Sequence, residues 1–124
     1  MLITVRDDKR KIAMGLLSYL PEYKDISVTQ REMDWYLAAP NRQLYLWQDD
    51  KSHHFMGLVG TEAVFDSLVV HHLIFSVEVA SNDRFALRKA MLDALQRQNQ
   101  TKVIMGNVRN QRLINEWREQ QTHE

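Results

Sequence analysis

The sequence predicts one α/β domain built on a mixed sheet. Three observations predict it: three consecutive β segments between residues 43 and 79 joined by short turns, a fourth reached through a helix, and apolar helical stripes before and after them. A chain of 124 residues suits a single core without disulfides, so residues 1–124 are expected to form one domain.

Residues 2–6 read as a short strand. Asp7 and Asp8 supply caps for a helix over residues 9–20, with Ile12, Leu16, Leu17 and Leu20 on one stripe. Pro21 stops it, because proline disfavours helical backbone at the preceding residue. Met33, Trp35, Tyr36 and Leu37 mark a second helix over residues 29–38, and Pro40-Asn41 turns the chain. Residues 43–48 alternate Leu44 and Leu46 with Tyr45 and Trp47, as a strand buried on both faces would. Residues 55–62 form the next strand, and Phe65-Asp66-Ser67 turns it into residues 68–79, rich in β-branched side chains. Ser81-Asn82-Asp83 offers caps for a helix to about residue 98, with Leu87, Met91, Ala94 and Leu95 at helical spacing. Residues 102–105 are a short strand ended by Gly106, and residues 109–120 a last helix with Leu113, Ile114 and Trp117 inward. The order is β-α-α-β-β-β-α-β-α. The helix-bridged pair is a right-handed crossover and therefore parallel.

Composition removes several functions. There is no cysteine, which excludes thiolate nucleophiles, cysteine zinc sites and iron–sulfur clusters, and suits a reducing compartment. Four glycines cannot write a Walker A loop or a full dinucleotide fingerprint. Sixteen basic residues balance sixteen acidic ones, so bulk charge names no polyanion. The span 84–118 alone holds eight basic residues against two acidic, enough for a phosphorylated ligand; nucleic acid is the weaker reading of it. The N-terminus lacks a signal-peptide core, and the longest uncharged run, eleven residues with two histidines, is too short to span a bilayer. A cytoplasmic domain without membrane contact is expected.

The element order resembles the GNAT N-acetyltransferase fold. The strings Lys-Ile-Ala-Met-Gly-Leu-Leu-Ser-Tyr-Leu-Pro at residues 11–21 and Arg-Gln-Leu-Tyr-Leu-Trp at 42–47 resemble the RibT proteins encoded with riboflavin-biosynthesis genes, and Phe-Met-Gly-Leu-Val-Gly at 55–60 resembles the glycine-containing third strand of such acetyltransferases. The resemblance implies a diphosphate-binding segment after the fourth strand, V-x-x-x-x-[QR]-x-x-G-x-[GA], whose main-chain N–H groups at a helix N-terminus hold coenzyme A. Val79 and Arg84 fit its first positions. Leu87 and Lys89 stand where the small residues are expected; a register begun at Asp83 puts Ala86 and Arg88 there instead. Arg84, Arg88 and Lys89 then offer side-chain contacts to phosphate, with Phe85 in the same segment. By the same resemblance Val77, Glu78 and Val79 pair with the pantetheine arm, and Asn107 and Asn110 lie where the family touches the coenzyme, or else form a turn and a helix cap.

Acetyl transfer from acetyl-CoA to a small amine needs a base and an acid. Glu78 ranks first as base, with His72 and Glu62 behind it. The family's usual acidic tyrosine corresponds to Ile114 or Trp117, and no tyrosine follows Tyr45. A hairpin turning at Phe65-Asp66 sets Glu78 opposite His53 and His72 opposite Val59. Adjacent strand residues face opposite sides, so neither His53-His54 nor His71-His72 is expected to chelate a metal. Trp35, Tyr36, Tyr45 and Trp47 are candidates to line an acceptor pocket. The resemblance also implies a final strand pair that this sequence lacks, leaving the pocket open or completed by a second copy in a homodimer. The rival reading is a catalytically degenerate GNAT-fold module that binds or regulates.

Overall fold

The computed structural model describes residues 1–123, with side chains through Gln121. Five strands lie side by side in chain order: β1 (Leu2–Thr4), β2 (Arg42–Gln48), β3 (Phe55–Val64), β4 (Ser67–Phe75) and β5 (Val103–Gly106). The first four pair antiparallel; β5 runs parallel to β4, as a crossover through a helix requires. Helices α1 (Arg10–Leu17) and α2 (Ile26–Leu37) cover one face, and α3 (Arg84–Gln98) and α4 (Gln111–His123) the other. The sheet therefore has two cores. Leu16, Leu17, Met33, Tyr36, Leu44 and Leu46 fill the first. Tyr45, Val59, Val70, Leu92, Ile104 and Ile114 fill the second, which is why β2 is apolar on both sides. No helix among the described residues is long and apolar enough to cross a membrane.

Helix α2 begins three residues before the hydrophobic spacing marks it, because Asp25 caps it by accepting the Ser27 N–H at 2.9 Å. The two-residue hairpin turn falls at Phe65-Asp66 as expected, with Val64 opposite Ser67. A β-bulge between Gly60 and Thr61 then inserts His71 as an extra residue. The register beyond it moves by one: His72 faces Gly60 rather than Val59, and Glu78 meets His54 rather than His53, Oε2 to Nδ1 at 2.9 Å. The bulge also overturns the alternation expected of His71-His72. His71 stacks its edge on Trp35 and His72 hydrogen-bonds Tyr36, so both rings lie on the α2 face.

Strand β4 ends at Phe75, four residues short of the expected boundary. Ser76 closes a local turn instead: its hydroxyl accepts the Glu78 N–H at 3.2 Å and its carbonyl the Val79 N–H at 3.1 Å. Val77, Glu78 and Val79 therefore lie past the strand, Val77 and Glu78 exposed and Val79 buried.

Candidate active site

The parallel pairing of β4 with β5 covers four residue pairs and ends at Val70 opposite Gly106. Gly106 is where the chain turns sharply away. A Cβ there would stand 2.6 Å from the Gln111 main-chain nitrogen. Asn107 and Asn110 seal the end of the ladder. The Asn107 N–H donates to the Val70 carbonyl at 3.1 Å, and both side-chain amides donate to the His71 carbonyl, at 3.2 and 3.1 Å. Asn110 precedes α4 but spends its side chain on β4 and on Asn107 Oδ1.

Beyond this seal β4 continues beside β3 without β5. The Ser76 N–H donates to the Met56 carbonyl at 2.8 Å, so by alternation His72, Ile74 and Ser76 turn their main-chain groups toward β3. Leu73 and Phe75 turn theirs the other way, into the wedge that β5 has left. The strand edge expected at residues 77–79 is thus two to four residues earlier.

The wedge leads to α3. Residues 81–83 form one 3₁₀ turn, and α3 follows from Arg84. Neither the turn nor the helix has a side-chain cap, and Ser81, Asn82, Asp83, Arg84, Phe85 and Ala86 are exposed. Leu87 turns inward against the second core. Lys89 reaches forward one turn to Asp93 at 2.9 Å. Leu87 thus packs on the core and Lys89 pairs along the helix, while Ala86 is exposed in the first turn of α3. Arg84 lies over Phe75, and Arg88 over Phe85. Others of the basic stretch are spent within the molecule: Arg109 on Glu22, Arg112 on Glu116, Lys102 on the Phe65 carbonyl and Arg118 on the Ile104 carbonyl.

On the α2 side of the wedge opens a cleft of about 730 Å³, lined by Glu22, Tyr23, Glu32 and Trp35 from the first helices, by His71 and His72, and by Asn107, Val108 and Arg109. His72 is buried, with its Nδ1 2.6 Å from the Tyr36 hydroxyl and its Nε2 3.0 Å from the Tyr23 hydroxyl. Burial, reinforced by His71 and Arg109, lowers its pKa to about 4, so the ring is neutral at pH 7. Burial and the carboxylates of Glu32 and Glu22 push Tyr23 up to about 12. Burial raises Tyr36 further still. Tyr23 is held by its backbone: the buried Thr29 hydroxyl donates to its carbonyl at 2.8 Å.

The two carboxylates considered for chemistry, Glu62 and Glu78, have partners, and so has Glu22, which lines the cleft. Glu62 meets His71 Nε2 at 3.0 Å and Arg42 Nε at 3.5 Å; Arg42 stacks on Trp35. Glu22 is paired with Arg109 and held below the usual carboxylate range by main-chain and Arg109 hydrogen bonds. Glu78 bonds His54 at the far end of β4 and is not among the residues lining the cleft. Of the four aromatic candidates, Trp35 lines the cleft, Tyr36 stands behind His72, and Tyr45 and Trp47 belong to the second core. The sequence reading missed Tyr23 and Glu32. The available signal was Tyr23 in a Pro21-Glu22-Tyr23 turn immediately before the Asp25 cap, a position held against the start of a helix.

No family model matches the sequence. Solved structures define the class of fold. It is similar to a probable acetyltransferase, with TM-score 0.68 and 11% identity over 87% of this chain and 78% of that one. It is also similar to an aminoglycoside N-acetyltransferase in complex with CoA, with TM-score 0.68 and 11% identity over 97% and 84%. A spermidine N-acetyltransferase chimera from Vibrio cholerae gives TM-score 0.65 and 14% identity over 96% and 79%. In sequence, an uncharacterized N-acetyltransferase in the lysA 3' region of Bacillus methanolicus is 35% identical over 96 residues, 77% of this chain and 76% of that protein. The chain belongs to the GNAT N-acetyltransferase superfamily.

Proposed function

We propose that this protein moves an acetyl group from acetyl-CoA to a small amine held in the cleft. The observation that carries this is the separation of β4 from β5 after Val70 and Gly106, which leaves the main-chain groups of Leu73 and Phe75 directed into a wedge beside the cleft. An extended pantetheine arm pairs there as an added strand does. The uncapped N-terminus of α3, with Arg84 and Arg88, takes the diphosphate; Val77 and Val79 shape the turn leading to it, and Phe85 and Ala86 flank it. Asn107 and Asn110 keep the wedge open by holding β5 to β4 only as far as His71.

The site residues supply binding and orientation. With no cysteine present, the amine attacks the thioester directly. His72 has both ring nitrogens engaged and serves as an orienting group. The resemblance of residues 11–21 and 42–47 to RibT proteins directs the acceptor search first to amines of riboflavin metabolism.

Calorimetric titration with acetyl-CoA, followed by mass spectrometry of the amines tested, checks this reading. Binding well below millimolar and a gain of one acetyl group on an amine are expected. No heat at about millimolar acetyl-CoA removes the reading.

A further inference from the structure

The hydrogen bonds around His72 have only one consistent direction. The Tyr36 hydroxyl is buried, and its one hydrogen-bond partner among the described residues is His72 Nδ1. A buried O–H without an acceptor is costly, so Tyr36 donates and Nδ1 accepts. No carboxylate bonds the ring, which is buried and neutral, so its single proton sits on Nε2 and points at the Tyr23 oxygen. Tyr23 therefore accepts from His72 and its own proton is left for the cleft. Glu32 lines the same cleft, and the charge of its carboxylate acts on that hydroxyl. The remaining ionisable groups that face this site are paired: Glu22 with Arg109 from the turn before α4, and His71 of β4 with Glu62 of β3, which Arg42 of β2 also holds.

We propose that Glu32 and Tyr23 are the proton-transfer pair of the site, and that His72 with Tyr36 behind it are positioning residues that aim the Tyr23 hydroxyl. This rests on the acetyltransferase reading and deepens it. The acceptor arrives as an ammonium ion and gives one proton to the Glu32 carboxylate. The freed nitrogen lone pair forms a bond to the thioester carbonyl carbon, whose π pair moves to oxygen. That pair returns as the C–S bond breaks, the bonding electrons go to sulfur, and Tyr23 gives its proton to the thiolate. Protonated Glu32 restores the Tyr23 hydroxyl, and the second nitrogen proton leaves to water. The products are one amide, one thiol and one proton. The pair supplies the acid that is missing from α4, from the opposite side of the sheet.

Two probes separate the halves of the pair: 1,3-diaminopropane, which is an ammonium at pH 7.5, and hydroxylamine, which is not. Thiol release from acetyl-CoA is followed with each. In Tyr23→Phe, kcat is expected to fall about 100-fold or more with both probes while acetyl-CoA affinity is unchanged. In Glu32→Gln, kcat falls with the diamine only. Ring ¹⁵N NMR of the free protein reads the direction without any acceptor: His72 is expected as the Nε2–H tautomer, and Tyr36→Phe releases that preference. The Nδ1–H tautomer, equal turnover in Tyr23→Phe, or acetyl-CoA binding without thiol release to either probe overturns the proposal. Absence of acetyl-CoA binding instead removes the acetyltransferase reading beneath it.

Discussion

Gly60 and His72 face each other across the β3–β4 ladder, and the Tyr36 hydroxyl sits over both. A Cβ on Gly60 would lie 2.1 Å from that hydroxyl oxygen, which is hydrogen-bonded and has nowhere to retreat. Gly57, three residues earlier on the same strand, would press on the flexible end of Met91 at 2.7 Å. Gly60→Ala is therefore expected to cost about 2 kcal/mol or more, and Gly57→Ala clearly less, as read by urea denaturation. His72 makes a separate, pH-dependent contribution. Its folded pKa of about 4 lies below the unfolded value of 6.5, so the unfolded chain binds a proton first as pH falls. Stability is full above pH 6.5 and declines toward pH 4, by about 3 kcal/mol in all. The lowered carboxylates Glu22, Asp25, Asp49 and Asp93 act mainly below pH 5, so the window above it belongs to His72. Urea midpoints from pH 7 to 5 are expected to fall in the wild type and to stay nearly flat in His72→Gln.

At the scale of elements, Asp93 joins α3 to α4. Its Oδ1 accepts the Trp117 indole N–H at 2.9 Å and the Gln121 amide at 3.0 Å, and its Oδ2 meets Lys89. Burial alone would raise this carboxyl, but the Trp117 and Lys89 hydrogen bonds outweigh it and hold the pKa low. Asp93→Ala leaves a buried indole donor unmatched and is expected to cost about 2 kcal/mol; in a Trp117→Phe background the cost falls by about 1 kcal/mol. A double-mutant cycle by chemical denaturation measures both. The helices thus joined were readable from the sequence, since Leu87, Met91, Ala94 and Leu95, and later Ile114 and Trp117, carry the inward stripe. The meander was readable for the same reason, its alternation being set by which side chains are buried. The bulge at His71 was not, because it arises from pairing across two strands. Nor was the end of β4, where one serine makes a turn that β-branched neighbours on both sides conceal. Tyr23 meets His72, and Glu32 joins their cleft, only once α2 has packed on the sheet, so nothing local in the sequence joins them.

At the scale of the whole molecule, the fold is a sheet held shut at one end and open at the other. Val70 and Gly106 close it, and the two asparagines keep it from closing further. An opened sheet leaves main-chain donors in the middle of a strand, which is costly unless water or a ligand satisfies them. In the free protein water is expected to satisfy these groups, so exchange along β4 should alternate. The amides of His72 and Ile74, bonded to β3, are expected to exchange slowly; those of Leu73 and Phe75, directed into the wedge, are expected to exchange much faster. Acetyl-CoA that pairs with this edge is expected to abolish the alternation, slowing Leu73, Phe75 and the amides of the α3 N-terminus while leaving β1 and β2 unchanged. It also stabilises the fold by about 2.7 kcal/mol at a hundred times its dissociation constant. Residue-resolved hydrogen exchange by NMR, with and without acetyl-CoA, reads both effects. Uniformly slow exchange at Leu73 and Phe75 in the free protein means that β4 has a partner on its second edge, and the wedge is then no place for a coenzyme.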